Sequence, residues 1–250
     1  RNHARGPGTV ITERPQPGRY KLFFQAVAVR LTNEKNMDKE QRKKVTAITQ
    51  RRYNRIAKMY DQMGAGTERS AFQAWRRQLW SQVHGPRILE VGVGTGKNIA
   101  YYPPDAQVIA IDLSERMLAY ARKRSQELGI TVDLRHMDAQ NLDFSHYSFD
   151  TIVATFVYCS VPDPVLGLRE IGRVIRPGGD IWLLEHMRIN RPVVGTLMDV
   201  LNPVVVRIMG ANINRRTVEN VEAAGLNIVH VENVLGDLVR LIHAQPKQNF

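Results

Sequence analysis

The stretch "ILEVGVGTGKN", residues 88–98, places glycines at 92, 94 and 96 directly after an apolar run that contains one acid, Glu90. A short apolar run closed by glycines predicts a buried strand and a tight loop, with a helix beginning at about Lys97. Such a loop lets a nucleotide-like ligand approach main-chain N–H groups that side chains would otherwise shield. A GxGxxG dinucleotide fingerprint requires glycine three positions after Gly94, and Lys97 stands there. The spacing here is GxGxG.

Outward from this loop the pattern is regular. "QVIAID" (107–112) reads as a strand, "SERMLAYARKRSQELG" (114–129) as a helix and "TVDLRHMDA" (131–139) as a strand. "FDTIVATFV" (149–157) follows as a buried strand, "PVLGLREIGRVIRPGG" (164–179) as a helix closed by glycines, and "DIWLLEHM" (180–187) as another strand. The tail gives a helix ending near Gly225 and two more strand-like runs. Alternation of strand and helix predicts an α/β fold: a Rossmann-like, doubly wound, mostly parallel seven-stranded sheet with an N-terminal helical extension.

Composition bounds the rest. With 250 residues and 43% hydrophobic content the chain can bury one large core. Its single cysteine, Cys159, excludes an internal disulfide framework and a cysteine-rich zinc site. Uninterrupted apolar runs such as "PVVV" at 203–206 fall well short of the roughly 18 residues of a spanning helix, so no membrane span is expected.

Charge is concentrated at one end: residues 1–60 hold 15 basic and 4 acidic residues, whereas 61–250 hold 20 of each. Residues 1–37 read as a loose extension whose "KLFFQAVAVR" (21–30) superficially resembles a short signal peptide. Residues 38–85 read as a basic helical cap and 86–250 as the main domain. Within the cap, "DKEQRKKVTAITQRRYNRIAKMYD" (38–61) predicts a helix with Val45, Ile48, Ile56 and Met59 on one face and Lys and Arg elsewhere. Such a helix either lies on an anionic membrane or packs as a solvated helix on the domain. Nucleic acid is a third partner class, but no zinc-finger or RNA-binding motif supports it.

The GxGxG loop, Glu90 before it and Asp112 ending the second strand resemble class I S-adenosylmethionine (SAM) methyltransferases of the type 11 group. "HMDAQNLDF", "FDTIVATFVYCSV" and "REIGRVIRPGGDIWLLEH" extend the resemblance over roughly residues 50–240. "YNRIAKMYD" (53–61) is similar to the YDxxAxxYD element of ubiquinone and menaquinone methyltransferases and of bacterial phospholipid N-methyltransferases, with Asn54 in place of the first acid. "CSV", "RPGG" and "EH" also resemble membrane-associated alkyl-thiol methyltransferases.

The resemblance implies SAM as cofactor and S-adenosylhomocysteine as product. Asp112 would accept both ribose hydroxyl hydrogens, Asp138 the adenine amino group, with a backbone donor from Ala139 and Met117 over a ring face. Gly92, Gly94 and Gly96 would admit the methionine part, Glu90 would order the loop and the amino end, and Thr155 would line the cofactor site. Capping of a strand end is the plain alternative for Asp112 or Asp138 taken singly.

A methyl on sulfonium is already activated, so alignment and exclusion of water carry catalysis, with positioning supplying about 7–11 kcal/mol. No metal is needed. Candidates for freeing the acceptor lie at the carboxyl ends of strands four and five, the rim where open α/β sheets bind ligands. They are Tyr158, Glu185 and His186, with Tyr53 from the preceding helix. His186 would take a proton and Glu185 would orient it or hold a cationic acceptor. Strand capping is the alternative for both, and Cys159 reads as a packed small residue.

The insertion at 188–217 mixes apolar residues with Gly195, Pro203 and Gly210; it is either a lipophilic lid or a segment packed on the body. The acceptor expected is a lipophilic small molecule or lipid, first a phospholipid amine. An isoprenoid quinone carbon, a lipophilic thiol and a SAM-binding scaffold without turnover are the alternatives. A peripheral site on the cytoplasmic membrane face fits these acceptors. Oligomeric state is not legible in the sequence.

Overall fold

In the computed structural model, residues 37–67 and 71–247 are described. The signal-like segment 21–30 and the loose extension, save its last residue, lie outside them. Lys39–Phe250 form one compact unit. Two helices, α1 (Lys39–Thr67) and α2 (Gln73–Trp80), precede the sheet. The order is then β1 (Arg87–Val91), β2 (Gln107–Asp112), α3 (Glu115–Leu128), β3 (Asp133–His136), β4 (Phe149–Thr155), α4 (Pro164–Val174) and β5 (Ile175–His186). It closes with α5 (Pro192–Met209), α6 (Thr217–Ala223), β6 (Leu226–Leu235) and β7 (Val239–Pro246).

The seven strands lie in the order β3-β2-β1-β4-β5-β7-β6. β7 alone runs antiparallel, between β5 and β6. Strand order reverses between β1, which pairs with β2, and β4, so the carboxyl ends of these three strands open a crevice. Side-chain alternation gives the sheet two cores: Leu89, Ile152, Leu168, Ile171 and Leu183 fill one, and Ile88, Val153, Leu79, Trp80, Leu118 and Leu184 the other.

Local chemistry sets the boundaries. Ser114 caps α3 by accepting the Met117 N–H at 3.2 Å, and Gly129 ends it at φ 66°. Asp163 caps α4 by accepting from Leu166 at 3.0 Å, with Pro164 in the first turn.

Several expectations need correction. The helix from Lys97 is only a 3₁₀ turn, Ile99–Tyr101, because Pro103 and Pro104 follow at once. The helix expected over 164–179 stops at Val174: Ile175 already pairs with Phe149, and "IRPGG" becomes the bulged start of β5. β4 ends at Thr155, two residues early, where Phe156 turns to φ 57°. β3 is four residues long rather than nine.

α1 continues past Asp61, and its apolar stripe is not its packed side. Val45, Ile48 and Met59 are exposed, whereas Thr49 and Ala57 are buried. The packed side is held by polar ties: Gln140 Nε2 to Thr46 Oγ1 at 3.1 Å, Gln50 to His136 at 2.9 Å, and Arg124 to Asp61 at 2.8 Å. The insertion 188–217 is largely the helix α5, closed by Gly210. Contrary to the expectation from run lengths, α5 is long and apolar enough to cross a membrane by length and composition. Counting uninterrupted runs missed it because Gly195, Asp199 and Asn202 divide the pattern.

Candidate functional site

α1 roofs the crevice, leaving a cleft that stays open to solvent. The floor comes from Gly92, Gly94 and Asp112 at the ends of β1 and β2, and one wall from Met117, Met137, Asp138 and Ala139. Thr155, Phe156, Val157 and Ser160 form the opposite wall, and Thr49, Tyr53 and Tyr60 the roof.

The three glycines serve different ends. A Cβ at Gly94 meets nothing within 4 Å, so that position is open to a ligand, and its φ of +55° favours glycine. Gly92 would collide with Val157, and a Cβ at Gly96 would stand 2.7 Å from Ile99 and 3.0 Å from Ala121. These two glycines seat the loop against the segment that follows β4 and against α3.

Asp112 Oδ2 accepts the Gly94 N–H at 2.9 Å and Oδ1 that of Ser114 at 2.8 Å. Each oxygen keeps a lone pair for a further donor. Burial pushes the carboxyl up to about 6, against the backbone donors that lower it. Asp138 accepts from Gln140 through backbone and side chain at 2.9 and 3.0 Å.

Glu90 is fully buried and does not line the cavity. It accepts from Asn98 Nδ2 at 2.6 Å and from the Tyr102 hydroxyl, and burial pushes its carboxyl up to about 7. Asn98 also donates to Thr155 Oγ1 at 3.1 Å and accepts from Arg76 Nη1 at 2.7 Å. Arg76, Thr95, Lys97 and Asn98 line a smaller recess that shares Tyr60, Gly92, Gly94 and Thr155 with the main cavity. Thr95 Oγ1 there is buried without a hydrogen-bond partner.

Residues 89–183 match a protein family described as a methyltransferase domain. The chain is 44% identical over 115 residues to a phosphatidylethanolamine N-methyltransferase of Cereibacter sphaeroides, a match covering 44% of this chain and 57% of that protein. It is 30% identical over 174 residues to a demethylmenaquinone methyltransferase of Lactobacillus johnsonii, covering 65% of this chain and 71% of that protein. The chain belongs to the class I SAM-dependent methyltransferases. The fold agrees: the crystal structure of a SAM-dependent methyltransferase from Thermotoga maritima superposes at a TM-score of 0.60, with 21% identity, over 79% of this chain and 99% of that one.

SAM is the methyl donor of this family, and the crevice fits it. Asp112 has acceptor capacity for a diol, the floor at Gly94 is free of side chains, and the orphaned Thr95 hydroxyl awaits a polar partner in the recess beside Arg76. Of the residues singled out in the sequence, Tyr53, Gly92, Gly94, Asp112, Met117, Asp138, Ala139 and Thr155 meet at the main cavity. Glu90 and Gly96 stand behind it.

Tyr158, Glu185 and His186 do not line it. Strand alternation places Glu185 on the side of Leu183 and Met187, where Oε1 accepts the N–H groups of Val157 at 2.9 Å and Tyr158 at 3.0 Å. Tyr158 is fully buried, and Cys159 is buried with its thiol pushed up to about 12. Desolvation lowers the imidazole of half-buried His186, so it is neutral near pH 7.

The Tyr53 hydroxyl instead meets Ser160 Oγ on the cavity wall. Asn54, in the place of an acid, serves as an acceptor all the same: its Oδ1 takes hydrogen bonds from Ser114 Oγ at 2.6 Å and from the Arg116 N–H at 3.3 Å. Sequence reasoning missed Arg76, Thr95, Asn98 and Ser160. A signal for Arg76 exists: it shares the i, i+3, i+4 stripe of Leu79 and Trp80, a cation on a buried face.

Proposed function

We propose that this methyltransferase acts on a lipophilic acceptor at a membrane surface, first on the amine of phosphatidylethanolamine. The observation that carries this reading is the wall facing the methyl end. Phe156, Val157, Val161 and Pro162 make it apolar, Tyr53 and Ser160 add two hydroxyls, and among the described residues the only carboxylates lining the cavity are Asp112 and Asp138 on the donor side. The relative of 44% identity carries the name of that activity.

Bound SAM supplies an electrophilic methyl group on sulfonium. Asp112 would hold the ribose and Asp138 the adenine, with Met117 against a ring face; Arg76 and Thr95 would face the carboxylate end. Burial holds the Tyr53 phenol well above its usual range, so it keeps its proton. It orients the acceptor rather than deprotonating it. An uncharged amine donating N–H to the Tyr53 or Ser160 oxygen turns its lone pair toward the methyl group. SAM held there would give its methyl to the amine nitrogen as the S–C bond broke, leaving S-adenosylhomocysteine and an ammonium whose proton would pass to water.

α1 supports a peripheral site on the cytoplasmic membrane face. Lys43, Lys44, Arg51 and Arg55 are exposed, and each basic residue near an anionic surface contributes about 1 kcal/mol. Arg42 is already paired with Asp163 at 3.6 Å. A quinone-carbon acceptor is the second reading, favoured by the demethylmenaquinone relative, whose match spans more of the chain. Mass spectrometry after incubation with SAM and vesicles of phosphatidylethanolamine, a demethylated quinone or a long-chain thiol tests the proposal. Methylated phosphatidylethanolamine is expected; methyl transfer only to the quinone or the thiol overturns the choice of acceptor, and no transfer to any of the three overturns the proposal.

A further inference from the structure

α5 carries its polarity inside out. Val193, Leu197, Val200, Leu201, Val204 and Ile208 recur at three- and four-residue spacing on one face and are 43–83% exposed. The opposite stripe holds Gly195, Met198, Asp199 and Asn202. Arg188 Nη2 donates to Asp199 at 2.8 Å and Asn214 Nδ2 does so at 3.1 Å. Asn202 donates to Asn212 at 2.9 Å and accepts the Ile213 N–H at 2.9 Å. A side chain at Gly195 would collide with the Arg188 guanidinium. A surface helix of a globular domain shows the reverse arrangement, apolar inward and polar outward.

By length and composition α5 could cross a bilayer, with mean hydropathy 1.4 over 18 residues and 11% of them buried. Its ties rule out crossing. Asp199 and Asn202 lie mid-helix, and pulling them from Arg188, Asn212 and Asn214 would leave polar groups unmatched in hydrocarbon. With these ties kept, the exposed apolar face suits a helix lying flat on a surface rather than crossing it.

Charge selects the surface on which it lies. Exposed Arg191 precedes the first turn and exposed Arg207 sits in the last, so a cation stands at each end of the apolar stripe. A Cβ on Gly210 would touch Arg52 Cδ and Tyr53 Cε2 at 3.6 Å, which joins this end of α5 to α1. There Ile48 is 47% exposed, one turn before Arg52. An apolar strip framed by arginines matches the boundary between acyl chains and anionic headgroups. A second copy fits worse, since a two-fold contact through α5 would set Arg191 of one chain beside Arg207 of the other.

We propose that α5 is a monotopic docking element whose apolar face enters the acyl boundary of an anionic leaflet. This deepens the membrane reading of the site and rests on it. The segment after α5 is bound to the cavity wall, with the Asn212 N–H donating to the Cys159 carbonyl at 2.8 Å, next to Ser160 and Val161. Docking α5 therefore fixes the acceptor side of the cavity relative to the lipid headgroups.

The single native cysteine is buried, so an introduced surface thiol can be labelled selectively. Leu197→Cys, Val204→Cys and, as a control on α3, Lys123→Cys would each carry an environment-sensitive fluorophore on the full chain. With vesicles of phosphatidylcholine and phosphatidylglycerol, the 197 and 204 labels should shift to the blue and be quenched by acyl-chain nitroxides, while the 123 label does neither. Leu197→Ser/Val204→Ser/Ile208→Ser should weaken vesicle partitioning by about tenfold or more.

Vesicle binding without quenching at 197 and 204, or unchanged partitioning of the triple variant, overturns the role of α5 and leaves the basic helix α1 as the docking element. Absence of vesicle binding by the native chain overturns the membrane reading itself. A blue shift at 197 and 204 without lipid, together with dimers in sedimentation, assigns the face to a second copy and overturns the proposal.

Discussion

Oε1 of Glu185 accepts the backbone N–H of Tyr158 at 3.0 Å, and that of Val157 at 2.9 Å, so the carboxyl end of β5 holds the loop that leaves β4. The other oxygen, Oε2, is buried without a partner, and burial pushes the carboxyl up to about 7. A neutral acid suits this place as well as an anion does. Glu185 thus shapes the cavity wall at Val157 from behind.

Glu185→Gln should therefore fold and retain most activity, because the amide oxygen still accepts both N–H groups. Glu185→Ala leaves them unmatched, at about 1–3 kcal/mol each. The pH dependence separates the two roles. A folded pKa near 7, above an unfolded value near 4.5, gives a stability contribution that is full below about 4.5 and lost as pH rises through 7. Melting temperatures from pH 5 to 8 should fall less steeply in Glu185→Gln than in the native chain, with Glu90, also near 7, keeping its own share. An unchanged slope would remove Glu185 as a source of that dependence.

Asp112 provides the test of the donor site. Its carboxyl stands near 6 in the crevice, so affinity for SAM should decline as pH drops through 6 and the acceptors are protonated. Asp112→Asn should bind SAM about 10–100-fold more weakly at pH 7.5, as one or two charge-assisted hydrogen bonds are lost, and should show little change between pH 5 and 7.5. Calorimetric titration at several pH values measures both, and native affinity in a folded Asp112→Asn would place the ribose elsewhere.

The cavity-lining residues proposed for the donor were legible because their placement is local: Asp112, Asp138 and the glycines lie at or just beyond strand ends, and strand ends follow from hydrophobic runs. The acceptor half depends on which way side chains point beyond the strands. His186 and Glu185 were rightly placed at a strand end, yet alternation sends Glu185 into a core face, and neither reaches the cavity. Ser160 becomes visible only through its contact with Tyr53, 107 residues away. The outward apolar face of α5 was hidden for a related reason. An amphipathic pattern gives the period of a helix, and only the ties of Asp199 and Asn202 reveal which side faces the protein.

Arg76 is one of the four residues that sequence reasoning passed over, and its recess predicts a role at the amino-acid end of the donor. Arg76→Met should weaken SAM binding by about tenfold or more through loss of a charge-assisted contact. Methylthioadenosine, which lacks the amino-acid end, should bind the variant and the native chain equally. Equal losses for both ligands would mean that Arg76 acts only by supporting Asn98 and Glu90.

Tyr53 and His186 offer opposite predictions for the same measurement. The Tyr53 hydroxyl lies on the cavity roof against Ser160, so Tyr53→Phe removes a group that orients the acceptor and leaves the donor's contacts in place. Turnover should fall by about tenfold or more while SAM affinity stays within about threefold, the signature of an interaction made with the acceptor rather than the donor. Ser160→Ala should lower turnover in the same direction, and the double variant should lose less than the product of the two single losses, because the hydroxyls act as a pair. His186→Ala, outside the cavity, should change turnover by less than about threefold, whereas a general base contributes roughly 10²–10⁴-fold. Steady-state rates with saturating SAM decide between them: a large loss in His186→Ala together with native rates in Tyr53→Phe would return proton transfer to the end of β5 and remove the hydroxyl pair from the acceptor site.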